Sequence, residues 1–109
     1  MSTQKIVEEV VAELESAESK FAPFNSSHEG YAVLLEEVDE LWDVVKLNPK
    51  KIGKSELMEF QEYFSMLPRQ AIPDAQKKIQ TKRMRAEAIQ IAAMAIRFVK
   101  CVCENEDEA

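Results

Sequence analysis

The chain has 109 residues, 46% of them hydrophobic and 31% charged, with only two glycines and four prolines. That length points to one domain, residues 1–109, and the apolar content is too high for intrinsic disorder. So few turn-forming residues disfavour a sandwich, a barrel or a glycine-rich phosphate loop. Fourteen bases against twenty acids give a net charge of −6, which disfavours a general nucleic-acid binder because an acidic coat repels a phosphate backbone.

Glu87, Gln90 and Arg97 interrupt the longest apolar run well short of the roughly 18 residues a bilayer span requires, so no membrane partner is expected. The opening segment MSTQKIVEEVV lacks the basic start and apolar stretch of a signal peptide, and a cytoplasmic protein is expected. Cys101 and Cys103 are the only cysteines, too few for a disulfide framework or a four-ligand zinc site, and read as reduced thiols. Charge is unevenly spread. Residues 1–45 carry eleven acids and two bases, whereas residues 46–100 carry twelve bases and five acids.

In chain order, Thr3 to Lys20 reads as a first helix, with Ile6, Val10, Val11, Leu14 and Ala17 on one stripe. Pro23 breaks it, since a proline disfavours helix in the residue before it. Ser26 followed three residues later by Glu29 is a capping box that opens a second helix, running to about Leu47 before Asn48-Pro49. Lys50 to Lys54 form a basic loop containing Gly53. Ser55, with Glu56 and Glu59 behind it, starts a shorter helix to about Met66, stopped by Leu67-Pro68. Pro73-Asp74 opens a last helix reaching about Cys103, and residues 104–109 read as a frayed acidic tail. No strand candidate and no internal repeat is present. The fold class is all-α, a helical bundle of four helices per chain.

On the second helix, Leu34, Val38, Leu41, Trp42 and Val45 fall together and are expected to form the main buried face. Glu37 and Glu40 lie away from it, about 60° apart around the axis and about 4.5 Å along it. Val33 and Val44 share their stripe, one turn before and one turn after. Apolar β-branched neighbours suggest that this face is covered, and two covered carboxylates repel each other while burial penalises their charge. A bound cation is the simplest remedy; ordinary solvated acids are the alternative. The last helix, from Ala86 to Ile96, is apolar nearly all round except for Glu87 and Gln90, three residues apart on one face. A buried glutamate there needs a metal or a partner, and Arg83, one turn earlier, is the alternative partner.

Glu36-Glu37-Val38-Asp39-Glu40 matches the E-E-x-x-E signature of the all-α nucleoside triphosphate pyrophosphatases, the MazG-like group, and Glu87-Ala88-Ile89-Gln90 stands where that family carries E-x-x-D. The strings HEGYAVLLEEVDELWDVVK and RAEAIQIAAMAIRFVK also resemble its short single-domain members, over roughly residues 24–100. The resemblance implies a pyrophosphohydrolase that cleaves a nucleoside triphosphate to the monophosphate and pyrophosphate, with a house-cleaning role toward non-standard nucleotides as one use. It implies a bundle completed across a homodimer, or a dimer of dimers, with Mg²⁺ (or Mn²⁺) as cofactor. By position, Glu37, Glu40 and Glu87 are the implied metal ligands. Glu36 is a ligand or the group that orients the attacking water. Gln90 replaces the usual aspartate, offering a neutral oxygen but no charge. The alternative function is a nucleotide-binding or structural dimerisation module that kept the bundle after losing catalysis.

The chemistry suits the residue types. Hard oxygen donors favour Mg²⁺ or Mn²⁺, which bridge like-charged carboxylates and phosphates. Candidate phosphate-binding cations are Lys46, Lys50, Lys51 and Lys54, with Arg83 and Arg97 on the last helix; plain solvated lysines are the alternative for the loop. Arg97 lies two turns beyond Gln90 on its side and is positioned to meet an anion. Trp42, Tyr31 and Phe98 are candidates for stacking a base, or for the core. His28, the only histidine, sits in a first helical turn and reads as a surface or capping residue. No E-x-x-H occurs, which disfavours a ferritin-like di-iron site.

Overall fold

The computed structural model describes residues 2–46 and 61–104. Lys50, Lys51 and Lys54, the start of the third expected helix and the tail from residue 105 lie outside the described residues. Every regular element among those described is helical: α1 (Thr3–Lys20), α2 (Ser27–Val45), α3 (helical at 61–65) and α4 (Ile72–Phe98). A short 3-10 turn at Arg69–Ala71 leads into α4, and a π-helical turn at Val99–Cys103 continues it. No helix among the described residues is long and apolar enough to cross a membrane.

Local chemistry accounts for the boundaries. Ser2 caps α1 by accepting the Lys5 backbone N–H at 3.2 Å, and Ser26 caps α2 by accepting the Glu29 N–H at 3.1 Å. The reciprocal half of the expected capping box departs from the expected form. Glu29 accepts instead from the backbone N–H of Asn25 at 3.4 Å and from Asn25 Nδ2 at 3.1 Å, so it ties down the residue before the cap. Pro73 falls in the first turn of α4, where its missing N–H is of no consequence. The last carbonyls of α2 are satisfied from a distance: Gln80 of α4 donates its side-chain amide to Val44 O at 3.2 Å and Val45 O at 3.1 Å.

α4 is the central rod. Gly30 meets Phe98 while Val44 and Val45 meet Gln80, so α2 runs antiparallel to α4. Glu9 pairs with Arg85 and Glu18 with Lys100, so α1 runs in the same sense as α4. Between these contacts lies a small core of Val10, Leu14 and Ala17 from α1, Phe24 from the connecting loop, and Ala93 and Met94 from α4. Val33, Leu34, Ile89 and Phe98 pack around it. Ala93 is the one core residue with no exposed surface at all.

Two expectations about burial are corrected. Leu34 and Leu41 of the expected main face of α2 are half-buried, but Val38, Trp42 and Val45 remain exposed in the single chain, Trp42 by 55%. The helix has turned so that Gly30, Val33, Leu34, Glu37, Leu41 and Val44 face inward. Gly30 is the physical reason. Without a side chain it lets α4 approach closely, and a Cβ there would sit 2.7 Å from Phe98 Cδ2 and 3.1 Å from Phe24 Cδ2. Nor is α4 buried on most sides. Ala86, Ala88, Ala95 and Ile96 stay exposed, because α1 and α2 cover only part of its circumference.

The closeness at Gly30 yields a stability prediction. Gly30→Val should destabilise the fold by about 2 kcal/mol in urea denaturation, the overpacking at Phe98 outweighing any gain in helix propensity. Phe98→Leu in the same chain should recover part of that loss.

Candidate metal centre

The inward turn of α2 brings Glu37 and Glu40 against Glu87 of α4. One carboxylate oxygen from each of the three lies within 4.8 Å of the others. Glu37 and Glu87 are half-buried, and Glu40 lies at the exposed edge. The antiparallel packing explains the meeting: contacts at Gly30–Phe98 and at Val44/Val45–Gln80 clamp the two helices on either side of the acids.

This arrangement is electrostatically unfavourable on its own. Glu37 Oε2 and Glu87 Oε2 are buried and, among the described residues, have no hydrogen-bond partner. Burial first, then the charges of Glu40 and Glu87, push the Glu37 carboxyl up to about 7. Burial and the charge of Glu40 also raise Glu87, with Arg83 pulling weakly the other way. The expected Arg83 partnership is therefore felt by Glu87 but does not satisfy its buried oxygen. Two orphaned carboxylate oxygens facing a third carboxylate fit a hard divalent cation: oxygen donors and high negative charge. Three side-chain oxygens leave room for further ligands in a six-coordinate shell.

The other expected site residues scatter. Glu36 is exposed, near enough to raise Glu37 slightly by its charge, but outside the triad. Gln90 is half-buried and lines, with Glu37, a cleft of about 550 Å³ between the α1–α2 loop, α2 and α4. Lys46 lies on the outer surface of α2, its Nζ 3.9 Å from Asp43 and 5.3 Å from the centre of the Trp42 ring. Arg97 is only 4% exposed. Its guanidinium donates to the carbonyl of Ala22 and lies over the Phe24 ring at 4.3 Å, so it braces the α1–α2 loop while lining the same cleft. Phe98 fills the slot at Gly30 and belongs to the core, whereas Tyr31 and Trp42 stand exposed.

Sequence reasoning passed over the far wall of this cleft: Glu13 within α1, Phe21 just after it, and Phe24, Asn25 and Glu29 around the break. The signal available was the aromatic pair flanking Pro23, in a segment with no need of large apolar side chains if it were only a turn. Comparison with family models, curated proteins and solved structures finds no match to this chain.

The raised carboxyls set a pH dependence. A group whose folded pKa exceeds its unfolded value makes the folded state bind extra protons between about pH 4.5 and 7, so this contribution falls as pH rises through that window. Without metal, the chain should melt lower at pH 8 than at pH 5.5 on account of this cluster. Glu37→Gln should flatten the dependence and stabilise the metal-free chain at pH 8 by about 1 kcal/mol, once solvent screening is allowed for. Differential scanning calorimetry in EDTA across that range checks both.

Proposed function

We propose that this chain is a Mg²⁺-dependent nucleoside triphosphate pyrophosphohydrolase of the MazG-like kind, cleaving its substrate to the monophosphate and pyrophosphate. The observation that carries the reading is the convergence of Glu37, Glu40 and Glu87, with two buried oxygens that no hydrogen bond among the described residues satisfies. When bound there, a divalent ion supplies the positive charge a polyphosphate needs in an acidic site, and it acidifies water.

The chain's own residues do the rest. Glu37 and Glu87, held from opposite helices, fix where the charge sits. Gln90 adds a neutral oxygen one turn from Glu87, at the mouth of the cleft, and so lowers the charge of the site relative to an aspartate. Glu36, exposed beside the triad, orients the attacking water and accepts its proton. Arg83, already felt by Glu87, is the described cation best placed to meet phosphate oxygens. The cleft beside Glu37 and Gln90 holds the remainder of the nucleotide.

The same reading includes a homodimer. Tyr31, Leu35, Val38, Trp42 and Val45 are spaced by four, three, four and three residues along α2, the spacing of a helix–helix seam, and all are exposed by 41% or more. A chain with so small a core gains most from covering such a stripe with a second copy.

The purified protein with Mg²⁺ should release pyrophosphate from at least one member of a panel of ordinary and modified triphosphates. Glu37→Gln and Glu87→Gln should each lower kcat/KM by 100-fold or more while the far-ultraviolet circular dichroism stays helical. Gln90→Asp should tighten Mg²⁺ in calorimetric titration. Nucleotide binding without turnover would favour the non-catalytic module instead. For the dimer, sedimentation equilibrium should give twice the chain mass for the wild type and a single chain mass for Trp42→Lys.

A further inference from the structure

Arg97 is a buried cation that forms no ion pair among the described residues. Among the described residues no carboxylate lies within 4.0 Å of it; its partners are one backbone carbonyl, at Ala22, and the faces of Phe21 and Phe24 at 5.9 and 4.3 Å. A guanidinium presents five N–H donors in a fixed fork. One is used on Ala22, and the group borders the 550 Å³ cleft that reaches Glu37 and Gln90 at its other end. A buried Arg that merely braced a loop would not need to border a cavity of ligand size.

The cleft's charge decides what kind of group meets it. Glu13 and Glu29 balance Lys20 and Arg97 along this part of the lining, Glu37 lying at the other end. A free anion therefore gains no net attraction at the Arg97 end, and a neutral group with acceptor atoms suits it. Gln90 and Arg97 are seven residues apart on one helix, about 10 Å along its axis. That separation suits a nucleotide with its phosphates at the acids and its base at the arginine. The exposed ring of Phe21 offers a π face for stacking at that end, beside the Phe24 ring that the guanidinium already covers.

We propose that this end of the cleft is a nucleobase pocket and that Arg97 is its specificity-determining residue, selecting guanine. Guanine presents two adjacent acceptors, O6 and N7, that match the guanidinium fork, and adjacent N1–H and N2–H donors on another edge for Glu13 or Glu29. Adenine sets a donor beside N7, and uracil and thymine set an N–H between their carbonyls, so neither matches the fork. Cytosine has a suitable acceptor pair but a smaller ring, which covers less of Phe21. The assignment rests on the pyrophosphohydrolase reading for the placement of the phosphates.

The test separates the two. Nucleosides, which carry no phosphate, are titrated in EDTA into the full chain while the phenylalanine ring signals are followed by NMR. Guanosine should bind at least tenfold tighter than adenosine or uridine and shift the signals of Phe21 and Phe24. Arg97→Lys keeps the charge and a donor for Ala22 but loses the fork, and should bring the preference below twofold. If that variant does not fold, Phe21→Ala, which removes an exposed ring, should weaken guanosine about tenfold. Equal affinity for all nucleosides, a preference for cytidine, unmoved phenylalanine signals, or a guanine preference that survives in Arg97→Lys would overturn the assignment. Selective guanosine binding with no triphosphate hydrolysed in Mg²⁺ would sink the pyrophosphohydrolase reading and leave the pocket standing. Hydrolysis in which Arg97→Lys leaves the ratio of GTP to ATP kcat/KM unchanged would do the reverse.

Discussion

Three carboxylates are held together here by helix packing that takes no account of their charge. α2 and α4 are clamped at one end by the contact of Gly30 with Phe98, and at the other by the Gln80 amide on the last carbonyls of α2. Between the clamps, Glu37 and Glu87 are held inward on facing helices, with Glu40 beside them at the exposed edge. The penalty is visible in the raised Glu37 and Glu87 carboxyls and in their unsatisfied oxygens. A fold that spends stability in this way on neighbouring groups commonly does so where it binds something.

The same rotation of α2 that buries the acids leaves an apolar seam outside. Had Val38, Trp42 and Val45 faced α4, Glu37 would have pointed toward water and the triad would not exist. One helix thus carries two apolar faces, one packed against α4 and one left exposed, and Gly30 favours the first by permitting close approach on that side. The α1–α2 break has a comparable double duty. Glu29 and Arg97 hold it in place through Asn25 and Ala22, and in doing so bring Phe21 and Phe24 over the cleft that opens beside Glu37.

Much of this was legible in the linear chain. The capping serine at 26 and the proline at 73 mark helix starts through hydrogen bonds and backbone restrictions that act within a few residues. The acid stripe bounded by Val33 and Val44 was legible for the same reason, since period and spacing are local properties of a helix. The choice of inward face was not. Periodicity groups Leu34, Val38, Leu41, Trp42 and Val45 by their hydrophobicity, and it cannot tell a seam for a second chain from a seam for α4. Arg97 was read as facing an anion because its helical position was known, whereas its contacts with Ala22 and Phe24 come from a loop about 75 residues away.

The sequence by itself determined that the chain is helical, where α1, α2 and α4 begin, and that Glu37 and Glu40 share one stripe of α2, because these follow from hydrogen bonding and side-chain period over short distances. Only the tertiary structure decided that Glu87 joins Glu37 and Glu40, that Trp42 stands outside, and that a buried arginine borders a cleft. Those outcomes depend on how closely two rods can approach, and that distance is set by the missing side chain at Gly30 and the ring of Phe98 packed against it, residues far apart in the chain.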